Sequence, residues 1–140
     1  MSYAVSHALQ TAVYGALSGD ASLTALVGAA IYDAVPPGTV PELYVSIGPE
    51  EVSAKQDSAG NITTHLLILS VIGSGAGFAS LKAAAGAVSD ALSGAPLSLS
   101  RGHLISLEFQ KARARKISEN QERQIELWFR AIVEDSYQTE

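Results

Sequence analysis

The chain has 140 residues, 47% of them hydrophobic and 16% charged, with no cysteine and a formal net charge of -5. That length fits one domain, residues 1–140, whose core can bury roughly 70% of the unfolded surface, so neither crosslinks nor metal are needed to hold it. The missing cysteines exclude a disulfide framework and thiolate metal sites, and the acidic balance argues against general affinity for a phosphate backbone.

The N-terminus, beginning Met1, Ser2, Tyr3, lacks a basic cluster followed by a long apolar core, so no secretory leader is expected. The longest strongly apolar run, Leu66 to Ile72, is too short to cross a bilayer as a helix, and a soluble protein without membrane contact is expected. Charge is unevenly spread. Residues 1–100 hold two bases, Lys55 and Lys82, against seven acids, whereas the last forty residues are neutral overall and patterned.

Between Tyr3 and Leu17, the residues Val5, Leu9, Ala12, Val13, Ala16 and Leu17 recur at three and four residue spacings, which predicts a first helix ended by Gly19. Asp20 is a fitting N-cap for a short second helix carrying Leu23, Leu26 and Val27, with Gly28 as its stop. Ile31 to Ala34 predicts a short strand, and Pro36, Pro37, Gly38 and Pro41 an ordered connection. Tyr44, Val45 and Ile47 resume a strand. The polar stretch Gly48 to Asn61 lacks a repeating apolar face and is expected to be a long exposed hairpin loop.

Ile62 to Ile72 is rich in β-branched residues and leucine and predicts a long central strand. Gly73 to Gly77 breaks it. A third helix follows from Phe78 to Leu92, with Leu81, Ala84, Ala85, Val88 and Leu92 on one stripe. Leu97 and Leu99 are expected to open an extended region in which His103, Ile105, Leu107 and Phe109 alternate with Leu104, Ser106, Glu108 and Gln110. After a turn over Ser118 to Arg123, a last strand has Ile125, Leu127, Phe129 and Val133 on one face. The order predicts an α+β fold: an antiparallel or mixed sheet, helices packed on one face, and a long β-hairpin loop.

Candidate chemistry is sparse. Gly73-Ser74-Gly75-Ala76-Gly77 lies between strand and helix, where a phosphate-cradling loop would sit, and a small nucleotide-binding enzyme is the alternative it carries. Phe78 stands where a dinucleotide fingerprint needs glycine, and no Lys followed by Ser or Thr comes after the last glycine, so a flexible turn is the simpler reading. His7, His65 and His103 are far apart and form no ligand pair; no metal and no cofactor is expected. Glu50 and Glu51 are adjacent and should point to opposite sides, a poor arrangement for acid/base chemistry. A monomeric regulatory binding module is a further alternative.

Lys111, Arg113 and Arg115, with Lys116 beside them, are more informative. Period-two spacing on a strand puts the first three on one face, opposite Ala112 and Ala114. A like-charged row has to be solvated, paired with acids, or turned toward a partner. Trp128 shares the parity of polar positions in the last strand and is expected to pack against a helix.

In order and spacing, Ala8-Leu9-Gln10 with Leu17, Leu26-Val27-Gly28, Ile31-Tyr32-Asp33, Val35-Pro36, Tyr44-Val45-Ser46-Ile47-Gly48, and His65 leading into the long apolar strand resemble the tail-terminator, or tail-completion, proteins of long-tailed phages and gene transfer agents. The resemblance runs to about Asp135. It implies a non-enzymatic structural subunit of a ring, usually a hexamer, that caps the tail tube on the head-facing side, stops tube polymerisation and joins the head connector or stopper. It also implies a life that begins in the bacterial cytoplasm and ends in the particle, with DNA passing through the ring's lumen. The exposed charges Glu50, Glu51, Lys55, Asp57, Lys111, Arg113, Arg115 and Lys116 are then expected to contact neighbouring subunits or partner proteins.

Overall fold

The computed structural model describes residues 3–34, 38, 41–54, 61–74, 78–117 and 122–135. Three helices, α1 (Ser6–Ser18), α2 (Ala21–Val27) and α3 (Ala79–Leu92), accompany five strands, β1 (Ile31–Tyr32), β2 (Leu43–Ala54), β3 (Ile62–Gly73), β4 (His103–Lys116) and β5 (Arg123–Glu134). The strands form one sheet in the order β1-β2-β3-β5-β4, with β1 parallel to β2 and every other neighbour antiparallel. This is the expected α+β fold with a mixed sheet, and β3 stands at its centre.

Local chemistry explains the helix boundaries. Asp20 accepts a hydrogen bond from the Leu23 amide at 2.9 Å, which satisfies an N-terminal donor of α2, and Gly28 ends that helix with φ 61°. Leu9, Val13 and Leu17 of α1, Leu23 of α2, and Leu81, Ala84, Val88 and Leu92 of α3 turn onto one side of the sheet. There they meet the alternate residues Leu67, Leu69 and Val71 of β3 and Ile125, Leu127, Phe129, Ala131 and Val133 of β5. Burial of this one continuous apolar layer is the main favourable contribution to the fold.

The third helix can approach the sheet closely because of one glycine. A Cβ on Gly73 would lie 2.8 Å from Leu81 Cδ1 and 3.2 Å from the Glu42 carbonyl oxygen. The first residue of the supposed phosphate loop therefore has a packing role, while Gly75, Ala76 and Gly77 lie outside the described residues.

Two expectations need correction. Gly48 to Ala54 is not loop: β2 continues to Ala54, paired with β3 down to Thr63. A bulge between Ile47 and Glu50 takes up Gly48, at φ 110°, and Pro49, which lacks an amide donor but is tolerated at a bulge on an edge strand. Only 55–60 of the expected hairpin loop remain, outside the described residues, and Lys55 and Asp57 fall there.

The second correction concerns β4. Leu97 and Leu99 precede the strand instead of opening it, and two bulges, between Leu104 and Ser106 and between Phe109 and Lys111, interrupt its alternation. Leu104, Leu107 and Phe109 share the helix side, while His103 pairs with Glu134 on the other and Ile105, at the first bulge, is 49% exposed. Phe109 meets Phe129 edge-on at 5.9 Å yet stays 42% exposed, because the helix layer does not reach over the outer half of β4.

Candidate interaction surface

The side of the sheet away from the helices is open. Its residues form cross-strand rows: Glu51, Leu66, Arg130 and Glu108; then Ile68, Trp128 and Lys111; then Ser46, Ser70, Glu126 and Arg113; then Tyr44, Ile72, Gln124 and Arg115. The middle is apolar and the β4 margin is basic. Pro49, Leu66, Ile68 and Trp128, with Glu50 and Glu51 at one margin, border a shallow depression of about 310 Å³.

Trp128 belongs to this open side and does not pack on a helix. Its indole lies under two cations, with Lys111 Nζ 4.7 Å and the Arg113 guanidinium carbon 5.8 Å from the ring centroid. The parity of Trp128 was readable from sequence. Which side carries the helices was not, because that depends on where α1 and α3 land.

Lys111, Arg113 and Arg115 do share one face, with Ala112 and Ala114 on the other. Glu126, 15% exposed, sits between two of them: Arg113 Nη2 is 3.1 Å and Arg115 Nε 3.9 Å from its Oε1. One carboxylate thus faces two guanidiniums that are still 60% and 49% exposed. Lys116 is also exposed, on the opposite face, in register with Arg123. The margin remains net positive, with geometry suited to an acidic partner.

Glu50 and Glu51 part company as expected of neighbours on a strand. Glu51 is exposed on the open side. Glu50 turns toward the helices and becomes the acceptor of a polar clasp. The Ser6 hydroxyl lies 2.7 and 3.0 Å from its two carboxylate oxygens, Tyr3 donates to Oε1 at 2.9 Å, and His65 Nδ1 is 3.1 Å from Oε2. His65 Nε2 stands 2.9 Å from Thr63 Oγ1, an arrangement that fits the Nδ1–H tautomer with Nε2 accepting from the hydroxyl. Burial raises the Glu50 pKa, but hydrogen bonds from Ser6, His65 and Tyr3 outweigh it and hold the carboxyl below its ordinary range.

The sequence Thr63, His65, Glu50 has the order of a nucleophile, base and orienting carboxylate. Thr63 is only 6% exposed and His65 0%, so an incoming substrate has no approach to the hydroxyl. The clasp instead ties the start of α1 to β2 and β3. Sequence reading missed it, since Ser6, Glu50 and His65 are brought together only by the β2–β3 register and the bulge. His7 and His103 are exposed, and no cluster of three metal-ligating side chains occurs among the described residues. No helix among them is long and apolar enough to cross a membrane.

Comparison with known proteins accords with this surface-dominated picture. The family described as Tail completion protein gp17 matches residues 11–134. A chain of the solved structure titled "Virion of native gene transfer agent (GTA) particle" is 56% identical and superposes with a TM-score of 0.90, the match covering 95% of this chain and 99% of that one. No curated protein matches the sequence. With a match across nearly the whole fold, the chain belongs to the tail completion protein gp17 family and is a structural protein of a phage-type tail.

Proposed function

We propose that this chain forms a ring, hexameric as the family resemblance implies, that caps the head-facing end of the tail tube of a gene transfer agent or phage. The ring ends tube polymerisation and joins the tube protein to the head connector or stopper, without catalysis. Subunits are made in the bacterial cytoplasm and end in the particle, with DNA passing through the lumen without sequence-specific contact. The observation that carries this reading is the 56% identity over 95% of the chain to a component of a gene transfer agent virion. The physical character of the molecule agrees: its distinctive features are a sheet with one uncovered side, two free edges and a basic margin, all suited to contacts between proteins.

Glu51, Lys111, Arg113, Arg115 and Lys116 are the described charges proposed to contact neighbouring subunits, tube or connector, with Lys55 and Asp57 assigned to the same role from sequence. Glu50 would act there through the shape of the bulge it anchors. Deleting the chain from a particle-producing strain tests the reading. Full heads separate from tubes of uncontrolled length are expected, whereas joined particles with tails of normal length would refute it.

A further inference from the structure

Charge is segregated between the two outer edges of the sheet. At one edge, no basic residue occurs from Ile31 to Ala54, and Asp33, Glu42 and Glu51 are exposed. At the other, no acid occurs from Phe109 to Lys116, and Lys111, Arg113, Arg115 and Lys116 are exposed. Both edges are open: β4 is the last strand of the sheet, and β1 covers β2 only at Val45 and Ser46, leaving Ile47 to Ala54 without an outer neighbour among the described residues.

The opposite charges also stand at the same height along the strands. Arg113 is level with Glu126, Ser70 and Ser46, and Asp33 follows Tyr32, the partner of Ser46. Glu42 lies just beyond the Tyr44 and Arg115 level, whereas Glu51 is level with Glu108 of β4, so the complementary stretch ends short of it. Like charges along an edge strand oppose its pairing with a copy of itself, which disfavours a two-fold dimer through β4. They favour the oppositely charged edge of another copy. A contact between two different patches of the same chain repeats head to tail, and equal height lets it close into a ring instead of climbing into a filament.

We infer that copies of this chain dock β4 edge to β1–β2 edge, Lys111, Arg113, Arg115 and Lys116 of one copy facing Asp33 and Glu42 of the next. The inference rests on the ring reading and assigns its subunit contact. Because β4 runs antiparallel to β2 within the sheet, rotation about an axis roughly along the strands brings the meeting edges together antiparallel, the geometry that a hairpin edge accepts most readily.

The test uses two full-length variants and their mixture. Lys111→Glu with Lys116→Glu cancels the positive charge of the β4 edge while leaving the Glu126 contacts of Arg113 and Arg115 in place; Asp33→Lys with Glu42→Lys makes both edges basic. Assembly is read by light scattering and negative-stain imaging, with and without tail tubes, and folding by circular dichroism. Each folded variant alone should remain monomeric under conditions where the unaltered chain forms rings, and an equal mixture should restore rings, the introduced glutamates meeting the introduced lysines. Rings from either variant alone, or no rescue in the mixture, would overturn the edge assignment while leaving the ring reading standing. An unaltered chain that forms no ring, even on tubes, would overturn both. If a reversed variant fails to fold, the milder changes Lys116→Gln and Glu42→Gln should each weaken ring formation and make it less sensitive to added salt, and indifference to both changes counts against the contact.

Discussion

Glu50 Oε2 and His65 Nδ1 lie 3.1 Å apart beneath the N-terminal end of α1, one residue supplied by the strand just past a bulge and the other by its central neighbour. Around them Ser6 and Tyr3 direct their hydroxyls to the same carboxylate. Glu50→Gln keeps the shape but removes the charge and leaves the group with one acceptor oxygen. A loss of about 1–3 kcal/mol in denaturant unfolding is expected, as for hydrogen bonds made to a charged group. An unchanged midpoint would show the clasp to be incidental.

The same carboxylate sets an acid limit. Its folded pKa is depressed relative to the ordinary 4.5, so its contribution to stability is complete above the unfolded value and is lost as pH falls through the folded one. Unfolding midpoints measured from neutral pH down to pH 3 should fall more steeply for the natural chain than for Glu50→Gln. Parallel curves would place the acid sensitivity in other groups.

Glycines offer a contrast in sign. A Cβ on Gly102, at φ 86°, would lie 2.9 Å from the Glu134 carbonyl oxygen and 3.0 Å from Val5 Cγ1, so Gly102→Ala combines a disfavoured backbone with a clash against main chain. A destabilisation of about 2 kcal/mol or more follows. Gly15 in α1 meets nothing within 4 Å, and Gly15→Ala should stabilise by roughly 0.5–1 kcal/mol through helix propensity. Thermal unfolding of the two variants separates these outcomes.

Trp128 is the single tryptophan, so its fluorescence reports on the open side alone. Lys111 and Arg113 close to the ring should concentrate anions there, making iodide a better quencher than caesium at equal ionic strength. Lys111→Glu should narrow or invert the difference. Equal quenching by both ions in the unaltered monomer would contradict the placement of the cations.

Removing the Asp20 cap by Asp20→Ala should cost about 1 kcal/mol, seen as a lower unfolding midpoint, because the Leu23 amide loses its acceptor. Asp20→Asn should recover most of the loss.

Helix periodicity, the Asp20 cap, the long β3 strand and the β5 alternation were all legible because each is a local pattern imposed on a few turns or a single face. The readings that failed share another cause. Pro49 and the polar residues around it look like loop, and only the β3 partner shows that the strand resumes after a bulge. His103 to Phe109 looks like clean alternation, and only pairing with β5 reveals the extra residue near Ile105. Trp128 had the right parity but the wrong neighbour, since parity gives sides and not what covers them. The Lys111, Arg113 and Arg115 row was found because a repeat of like charges needs no knowledge of its partner, whereas Glu126, which binds two of them, comes from the register.

The second bulge of β4 makes chain length, there, a determinant of chemistry. Phe109 sits on the helix side, and an unbulged strand through Gln110 would carry Lys111, Arg113 and Arg115 onto that same side, with Ala112 opposite Glu126; because Phe109 and Gln110 together span a single step of β5, the cations fall on the open side instead. Excising Gln110 would remove the bulge yet leave Lys111 opposite Trp128 and Arg113 opposite Glu126, whereas one residue added after it would turn the salt-bridged margin into an apolar one, although no charged residue had been altered.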